Sequence, residues 1–173
     1  MKLKQRIGVV GNGFVGAAVK FGFSPQVGCD AEVKVYDINP SKSTHTLEET
    51  INQSDFIFLS VPTPANEDGS INLDILTDAL NDIDGVSEKD NYILIRSTVV
   101  PGTTWALQEK FPNLNLLFNP EFLTERSANF DFINQSRFII GSGDSYESAL
   151  GSELFGKLIK DRFGDCVAIL ETT

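Results

Sequence analysis

The sequence is poor in the residues that build disulfide and metal sites. It has two cysteines, Cys29 and Cys166, and one histidine, His45. The cysteines lie far apart and in no metal-like spacing, which reads as two reduced, inert thiols. His45 sits in the polar stretch 41–46 and reads as a surface residue rather than a catalyst. With so few ligands, no zinc or other metal site is expected. Long apolar runs are also missing, since none approaches the ~18 residues that span a bilayer. The basic N-terminus 1–6 leads only into Ile7-Gly8-Val9-Val10, which is too short for a secretory signal and lacks a small-residue cleavage site. No membrane contact and a cytoplasmic location are the expectation. Positive charge is scarce: 14 Lys and Arg stand against 24 Asp and Glu, a net charge of −10. That balance disfavours nucleic acid, whose phosphates need basic patches.

What is present fits a folded α/β protein. The 173 residues suffice for one well-cored domain and are thin for two, and 13 phenylalanines point to a large apolar interior. Strands are expected at 5–10, 32–36, 55–61, 92–95, 114–118, 137–140 and 166–170. The run Asp55-Phe56-Ile57-Phe58-Leu59-Ser60-Val61 is nearly continuous and apolar, as in a strand buried on both faces. Helices are expected at 14–23, 72–83, 103–110 and 145–159, with one or two helical turns at 47–51. In 72–83 the apolar residues Leu73, Ile75, Leu76, Ala79, Leu80 and Ile83 recur at helical spacing. The stretch 119–136 reads as loop with a short helix. Strands alternating with helices imply a doubly wound, mostly parallel sheet of Rossmann type in a single domain.

Between the first strand and first helix stands Gly11-Asn12-Gly13-Phe14-Val15-Gly16. A lone GxGxxG is a weak signal, but here a strand precedes it and a helix follows. Gly11 permits the tight turn, Gly13 lets the backbone approach a pyrophosphate, and Gly16 lets helix and strand pack closely. Asp37 lies 21 residues beyond Gly16, at the end of the second strand, where an acid accepts hydrogen bonds from ribose hydroxyls and repels a 2′-phosphate. No arginine follows it closely. Lys42 is the nearest cation and completes the cofactor set. The cofactor expected is NAD rather than NADP. The net negative charge does not oppose this, because backbone N–H groups and a helix dipole hold a pyrophosphate locally.

Four further segments carry a family resemblance: Val61-Pro62-Thr63-Pro64; Arg96-Ser97-Thr98-Val99-Val100-Pro101-Gly102-Thr103-Thr104; Asn119-Pro120-Glu121-Phe122-Leu123-Thr124-Glu125; and Ser136-Arg137-Phe138-Ile139-Ile140-Gly141. In order and spacing the chain resembles, over essentially its whole length, the N-terminal NAD-binding domain of the UDP-glucose/GDP-mannose dehydrogenase family. Such enzymes oxidise the primary alcohol of a nucleotide sugar to a carboxylate with two NAD. The resemblance implies that Val61, Pro62 and Thr63 line the NAD pocket, and that Ser97 and Thr98 lie near the nicotinamide and the reacting carbon. It implies that Glu121 and Glu125 stand at the substrate, one for proton transfer or water activation and the other on cofactor or substrate. Residues 122–124 would follow the sugar with their backbone. Thr98, Glu121 and Glu125 form the implied catalytic set. Read without the resemblance, the two glutamates suit a solvated loop or an early helical turn, and Thr103 suits a helix cap.

The sequence also departs from the family. Arg126 stands where Gly or Ser is usual, the segment before Arg137 lacks the usual Pro, and the stretch between Asp37 and Asp55 is short. The family's nucleophilic Cys lies in a glycine-rich segment downstream, beside Lys and Asn of a long central helix. Neither Cys29 nor Cys166 has that setting. The chain is therefore expected to bind NAD without completing the oxidation alone. The nucleotide-sugar substrate would then require a missing C-terminal domain or a partner chain, and a homo-oligomer is compatible. Two alternatives remain open: a non-catalytic NAD-binding module that acts with a partner, and a small 3-hydroxyacid-type dehydrogenase on the same scaffold. An apolar patch of Phe122, Phe130 and Phe132 is expected beside the acidic loop.

Overall fold

The computed structural model describes residues 4–165 and 168–172. The strands are β1 (Arg6–Val10), β2 (Glu32–Tyr36), β3 (Phe56–Leu59), β4 (Tyr92–Ile95), β5 (Asn115–Phe118), β6 (Arg137–Gly141) and β7 (Ala168–Thr172). The helices are α1 (Phe14–Gly22), α2 (Leu47–Asn52), α3 (Asp74–Val86), α4 (Thr103–Lys110), α5 (Ala128–Asn134) and α6 (Tyr146–Phe163). Cys166, the expected start of the last strand, lies outside the described residues.

Among the described residues the strands form one sheet in the order β2-β1-β3-β4-β5-β6-β7. The first five are mutually parallel, so the sheet has the expected Rossmann-type plan. β6 pairs antiparallel to β5, through the single register pair Phe118 and Gly141, and β7 runs parallel to β6. The connection from β5 to β6 carries a short 3-10 turn and the seven-residue α5.

Both faces of the sheet are covered, and the side chains of β3 sort themselves by face. Phe56 and Phe58 pack with Ala18 and Val19 of α1, Phe132 of α5, and Phe155, Leu158 and Ile159 of α6. Ile57 and Leu59 pack with Ile51 of α2, Leu76, Leu80 and Ile83 of α3, and Leu107 of α4. A period of two along an all-apolar strand thus divides a ring-rich layer from an aliphatic one. In the ring-rich layer Phe23, Phe58, Phe132, Phe138, Phe155 and Phe163 meet at centroid distances of 5.2–6.3 Å, tilted or edge-on, the geometry that ring quadrupoles favour. Phe132 is fully buried there, against the expectation that it joins an open patch. The reason is Gly22, where a Cβ would collide with the Phe132 ring, so α5 closes directly onto α1.

Two ion-centred ties hold the periphery. Arg162, near the end of α6, donates from Nε to Gly22 O and from Nη2 to Val27 O, bringing a cation to the C-terminal carbonyls of α1. At the amino ends of the central strands, Asp55 accepts from both Arg6 and Lys89. Burial raises the Asp55 carboxyl, but its hydrogen bonds from Arg6 and Lys89 outweigh this and hold it below its ordinary range. A depressed carboxylate contributes stability above its unfolded value, near 3.9, and loses it as pH falls through the folded value. Asp55 is partly open to solvent, which screens its charge, so the contribution is modest. Asp55→Asn should lower stability at neutral pH by about 1 kcal/mol. Urea titrations from pH 7 down to about pH 2 should show the two proteins converging below about pH 4. A gap that stays constant to the acid end would assign the loss to packing rather than to charge.

Candidate dinucleotide and reaction site

Because β1 to β5 are parallel, the segments that follow them emerge on one edge of the sheet. The strand order turns back between β1 and β3, the point where open α/β sheets open a crevice for ligands. The turn 11–16 fills the start of that crevice. Gly11 has φ +89°, and a Cβ there would lie 2.5 Å from Ser60 O. A Cβ on Gly16 would collide with Gly11 O. The fold itself therefore demands these two glycines. Gly13 differs: it is extended, at φ −76° and ψ −166°, and no atom lies within 4 Å of where its Cβ would stand.

The open space at Gly13 faces the start of α1. The first turn of any helix has N–H groups without intrahelical partners. α2 and α6 satisfy theirs with Thr46 and Ser145, whereas α1, like α3, α4 and α5, has no capping side chain, and it has no acid in its first turn. Free N–H donors and the positive end of a helix dipole beside empty space suit an anionic pyrophosphate. Asn12, half-buried, donates from its side chain to Lys42 O, while Phe14 is exposed and Val15 half-buried. Lys42 thus braces the turn with its main-chain carbonyl.

Asp37 directly follows β2, and both its oxygens are engaged by backbone. Oδ2 accepts from Asn12 N at 2.7 Å and Oδ1 from Asn39 N at 2.8 Å. Ser43 donates to Asp37 O and accepts from Asp37 N. The carboxylate is thereby fixed beside the glycine turn with its remaining lone pairs free for ribose hydroxyls. Next to it Ile38 is 92% exposed, an apolar side chain with nothing of the protein over it. Its position was not singled out from sequence, which does not reveal exposure.

The segments after β3 and β4 are tied together. Ser97 donates to Val61 O at 2.6 Å, and Thr63 donates to Thr98 O at 2.7 Å. Ser97 is nearly buried, while Thr98 and Pro62 are exposed. The acidic loop follows β5, beside β4. Glu121 Oε2 accepts from Leu123 N at 2.7 Å, and Glu125 is exposed at the start of a short 3-10 turn, Glu125–Ser127. Asp131 steadies this turn through Thr124 N and Ser127 Oγ. The structure therefore brings the glycine turn, Asp37, 61–63, Ser97, Thr98, Glu121 and Glu125 to one edge of the sheet. It does not bring the Lys42 side chain into a bond with any of them.

Two residues in this region, Arg96 and Asn119, were not assigned roles from sequence. Arg96, directly before Ser97, is only 3% exposed. Its Nη1 donates to Asn119 Oδ1 at 2.5 Å, and its guanidinium stands 5.8 Å from the centres of both the Phe58 and Phe132 rings. Burial pulls its pKa down to about 10, partly countered by the charge of Glu121. A charged residue extending the apolar run of β4 was the available signal. Phe122 and Phe130 are each 66% exposed and, with Leu123, border a groove of about 360 Å³. Thr103 is not a cap: Gly102, in left-handed conformation, holds the N-cap position, and Thr103 is the first residue of α4. No group of three or more Asp, Glu, His or Cys suited to a metal occurs among the described residues. No helix among them is long and apolar enough to cross a membrane.

Known proteins share this sequence pattern and fold. Residues 41–159 match the model of the UDP-glucose/GDP-mannose dehydrogenase family, NAD binding domain. A UDP-glucose 6-dehydrogenase of Campylobacter jejuni is 33% identical over 129 residues, covering 74% of this chain and 32% of that protein. One from Bacillus subtilis is 35% identical over 116 residues, covering 62% of this chain and 26% of that protein. Among solved structures, a UDP-glucose dehydrogenase from Pyrobaculum islandicum superposes with a TM-score of 0.77 at 24% identity, over 99% of this chain and 46% of that one. A 3-hydroxyisobutyrate dehydrogenase from Mycobacterium tuberculosis shares the fold, with a TM-score of 0.68 at 12% identity. The chain spans about a third or less of the two curated relatives and about half of the Pyrobaculum structure. The match to the family model covers well over half of the sequence, and the chain belongs to the UDP-glucose/GDP-mannose dehydrogenase family, of which it carries the NAD-binding domain.

Proposed function

We propose that this chain is the cofactor-binding part of a nucleotide-sugar 6-dehydrogenase of the UDP-glucose type, which takes a sugar primary alcohol to a carboxylate with two NAD. The observation that carries the reading is the uncapped start of α1, facing open space at Gly13, with the fixed Asp37 carboxylate beside it. The turn 11–16 holds the pyrophosphate. Asp37 takes the ribose hydroxyls, Ile38 offers an apolar face to the adenine, and Val61, Pro62 and Thr63 form the wall across the crevice. Bound NAD supplies the hydride acceptor.

The residues beyond β4 and β5 serve the reacting end. Thr98 presents a hydroxyl at the exposed edge, while Ser97 is spent on holding Val61. Glu121 has one oxygen committed to Leu123 N, which leaves the other for a proton or a water. Glu125, on the adjoining 3-10 turn, contacts cofactor or substrate. Residues 122–124 run along the sugar. The second oxidation in this family goes through a cysteine thiohemiacetal, and Cys29 does not stand near this edge. That step, and recognition of the nucleotide, fall to a C-terminal domain or a partner chain. Phe122 and Phe130 give such a partner, or a second copy of this chain, an apolar surface to meet. A second reading, a non-catalytic NAD-binding module acting with another subunit, draws on the small share of its relatives that the chain spans. A reading frame continuing past Thr173 into a glycine-rich segment with a Cys would remove it.

Calorimetric titration should show NAD binding at least about tenfold tighter than NADP, ~1.4 kcal/mol. Equal affinities would refute the role of Asp37. Gly13→Val should abolish NAD binding with little change in the urea midpoint, because the fold leaves that space empty. Retained binding would move the pyrophosphate elsewhere.

The chain alone, given UDP-glucose and NAD, should yield no reduced cofactor by absorbance. Robust turnover that survives replacement of both Cys29 and Cys166 would overturn the assignment of the second oxidation to another segment.

A further inference from the structure

The least expected group in the molecule is a buried cation without a bonded anion. Arg96 is almost wholly enclosed, and its guanidinium donates to the neutral amide of Asn119. Its Nε is buried with no partner. No carboxylate lies within ion-pair distance among the described residues, and Glu121 acts on it only through its field. Enclosing a guanidinium in this way is costly. The two ring faces of Phe58 and Phe132 recover part of that cost. Simple core packing is better served by an apolar side chain of similar length, so the charge needs another reason.

The reason lies in where the pair sits. β5 and β6 meet through one register pair, Phe118 and Gly141. Directly beyond it, Asn119 N bonds to Ile95 O, and Asn119 Nδ2 donates to Ile139 O at 2.7 Å. Asn119 Oδ1 takes the Arg96 hydrogen bond. One fully buried amide thus links β4, β5 and β6 where the parallel part of the sheet gives way to the antiparallel part. A free amide can turn over and exchange its oxygen for its nitrogen. A guanidinium has donors only, so it admits the oxygen alone and forces the Nδ2 group toward β6. Asn119 is also the first residue of the acidic loop.

We infer that Arg96 is a positioning residue for the loop that carries Glu121 and Glu125: by fixing the orientation of the Asn119 amide it locks the seam between β5 and β6 and sets where that loop leaves the sheet. The consequence for the reacting end rests on the reading of this loop given above; the structural lock does not.

Amide hydrogen exchange by mass spectrometry on the whole chain, with NAD calorimetry alongside, tests this. In Arg96→Met, peptides covering 119–127 and 137–141 should exchange at least tenfold faster, while those covering β1, β2 and β3 keep the parent rate. NAD affinity should stay within about threefold of the parent. Asn119→Leu should reproduce the pattern, and the double variant should be no worse than either single one. Arg96→Lys, which keeps a charged donor, should restore most of the protection, which a volume effect would not produce. Unchanged exchange in 119–127, uniform acceleration across all strands, or additive effects of the two substitutions would each overturn the inference. Should Arg96→Met not fold, Arg96→Lys and Asn119→Ser decide the matter by the same pattern of local against general exchange. A parent chain that binds no NAD would sink the functional reading and leave this pattern to be judged on its own.

Discussion

The ring of Phe132 occupies the space that a Cβ at Gly22 would need, and the placement of the acidic loop depends on that fit. Through it α5 lies against α1, and the Phe23, Phe138 and Phe163 rings close around the same point. Removing such a side chain costs on the order of 3–5 kcal/mol, so this is a strong anchor for a seven-residue helix that would not hold its shape alone. The acidic loop is consequently held at both ends. Asn119 fixes its start against β4 and β6, and Phe132, one turn into α5, fixes its exit. Between them Glu121, Asp131 and the short 3-10 turn shape the chain, and Leu123 and Ala128 pack inward while Phe122, Glu125 and Phe130 turn outward.

The same ring shows what the sequence made legible and what it hid. The alternation of strands and helices, the glycine turn and the distance to Asp37 are local patterns, and each reflects a local cause: a two-sided strand, a tight turn, a strand end. The run 55–61 announced a buried strand correctly, though its ladder is shorter, at Phe56–Leu59, and Val61 beyond it is held by Ser97 instead. Phe122, Phe130 and Phe132 look alike in sequence. Only the glycine of a different helix, more than a hundred residues away, makes the third a core residue and leaves the other two outside.

Direction and charge were less visible still. Nothing in the composition of β6 tells that it runs against β5, since that follows from how far the intervening segment carries the chain before it returns. Arg96 follows four apolar residues and precedes the exposed edge, so solvent was the natural place for its charge. Its burial depends on Phe58, Phe132 and Asn119, which come from three separate elements. Thr103 has the chemistry of a cap, but the left-handed Gly102 takes that position, so the turn geometry overrode the side-chain preference. The candidate catalytic and cofactor positions, by contrast, gathered on one edge because every one of them follows a parallel strand.

Asp37 carries a consequence for how cofactor choice can change over evolutionary time. Its two oxygens already brace Asn12 of the phosphate turn and Asn39 of the next loop. The residue we propose as the discriminator against a 2′-phosphate is therefore also a strut of the glycine turn proposed to hold the pyrophosphate. A replacement that welcomed the extra phosphate would lose at least one of these two acceptors, and loosen the turn it supports, in the same step. A switch of cofactor at this site is thus a concerted change: new struts for Asn12 and Asn39 must appear with, or before, the loss of the acid.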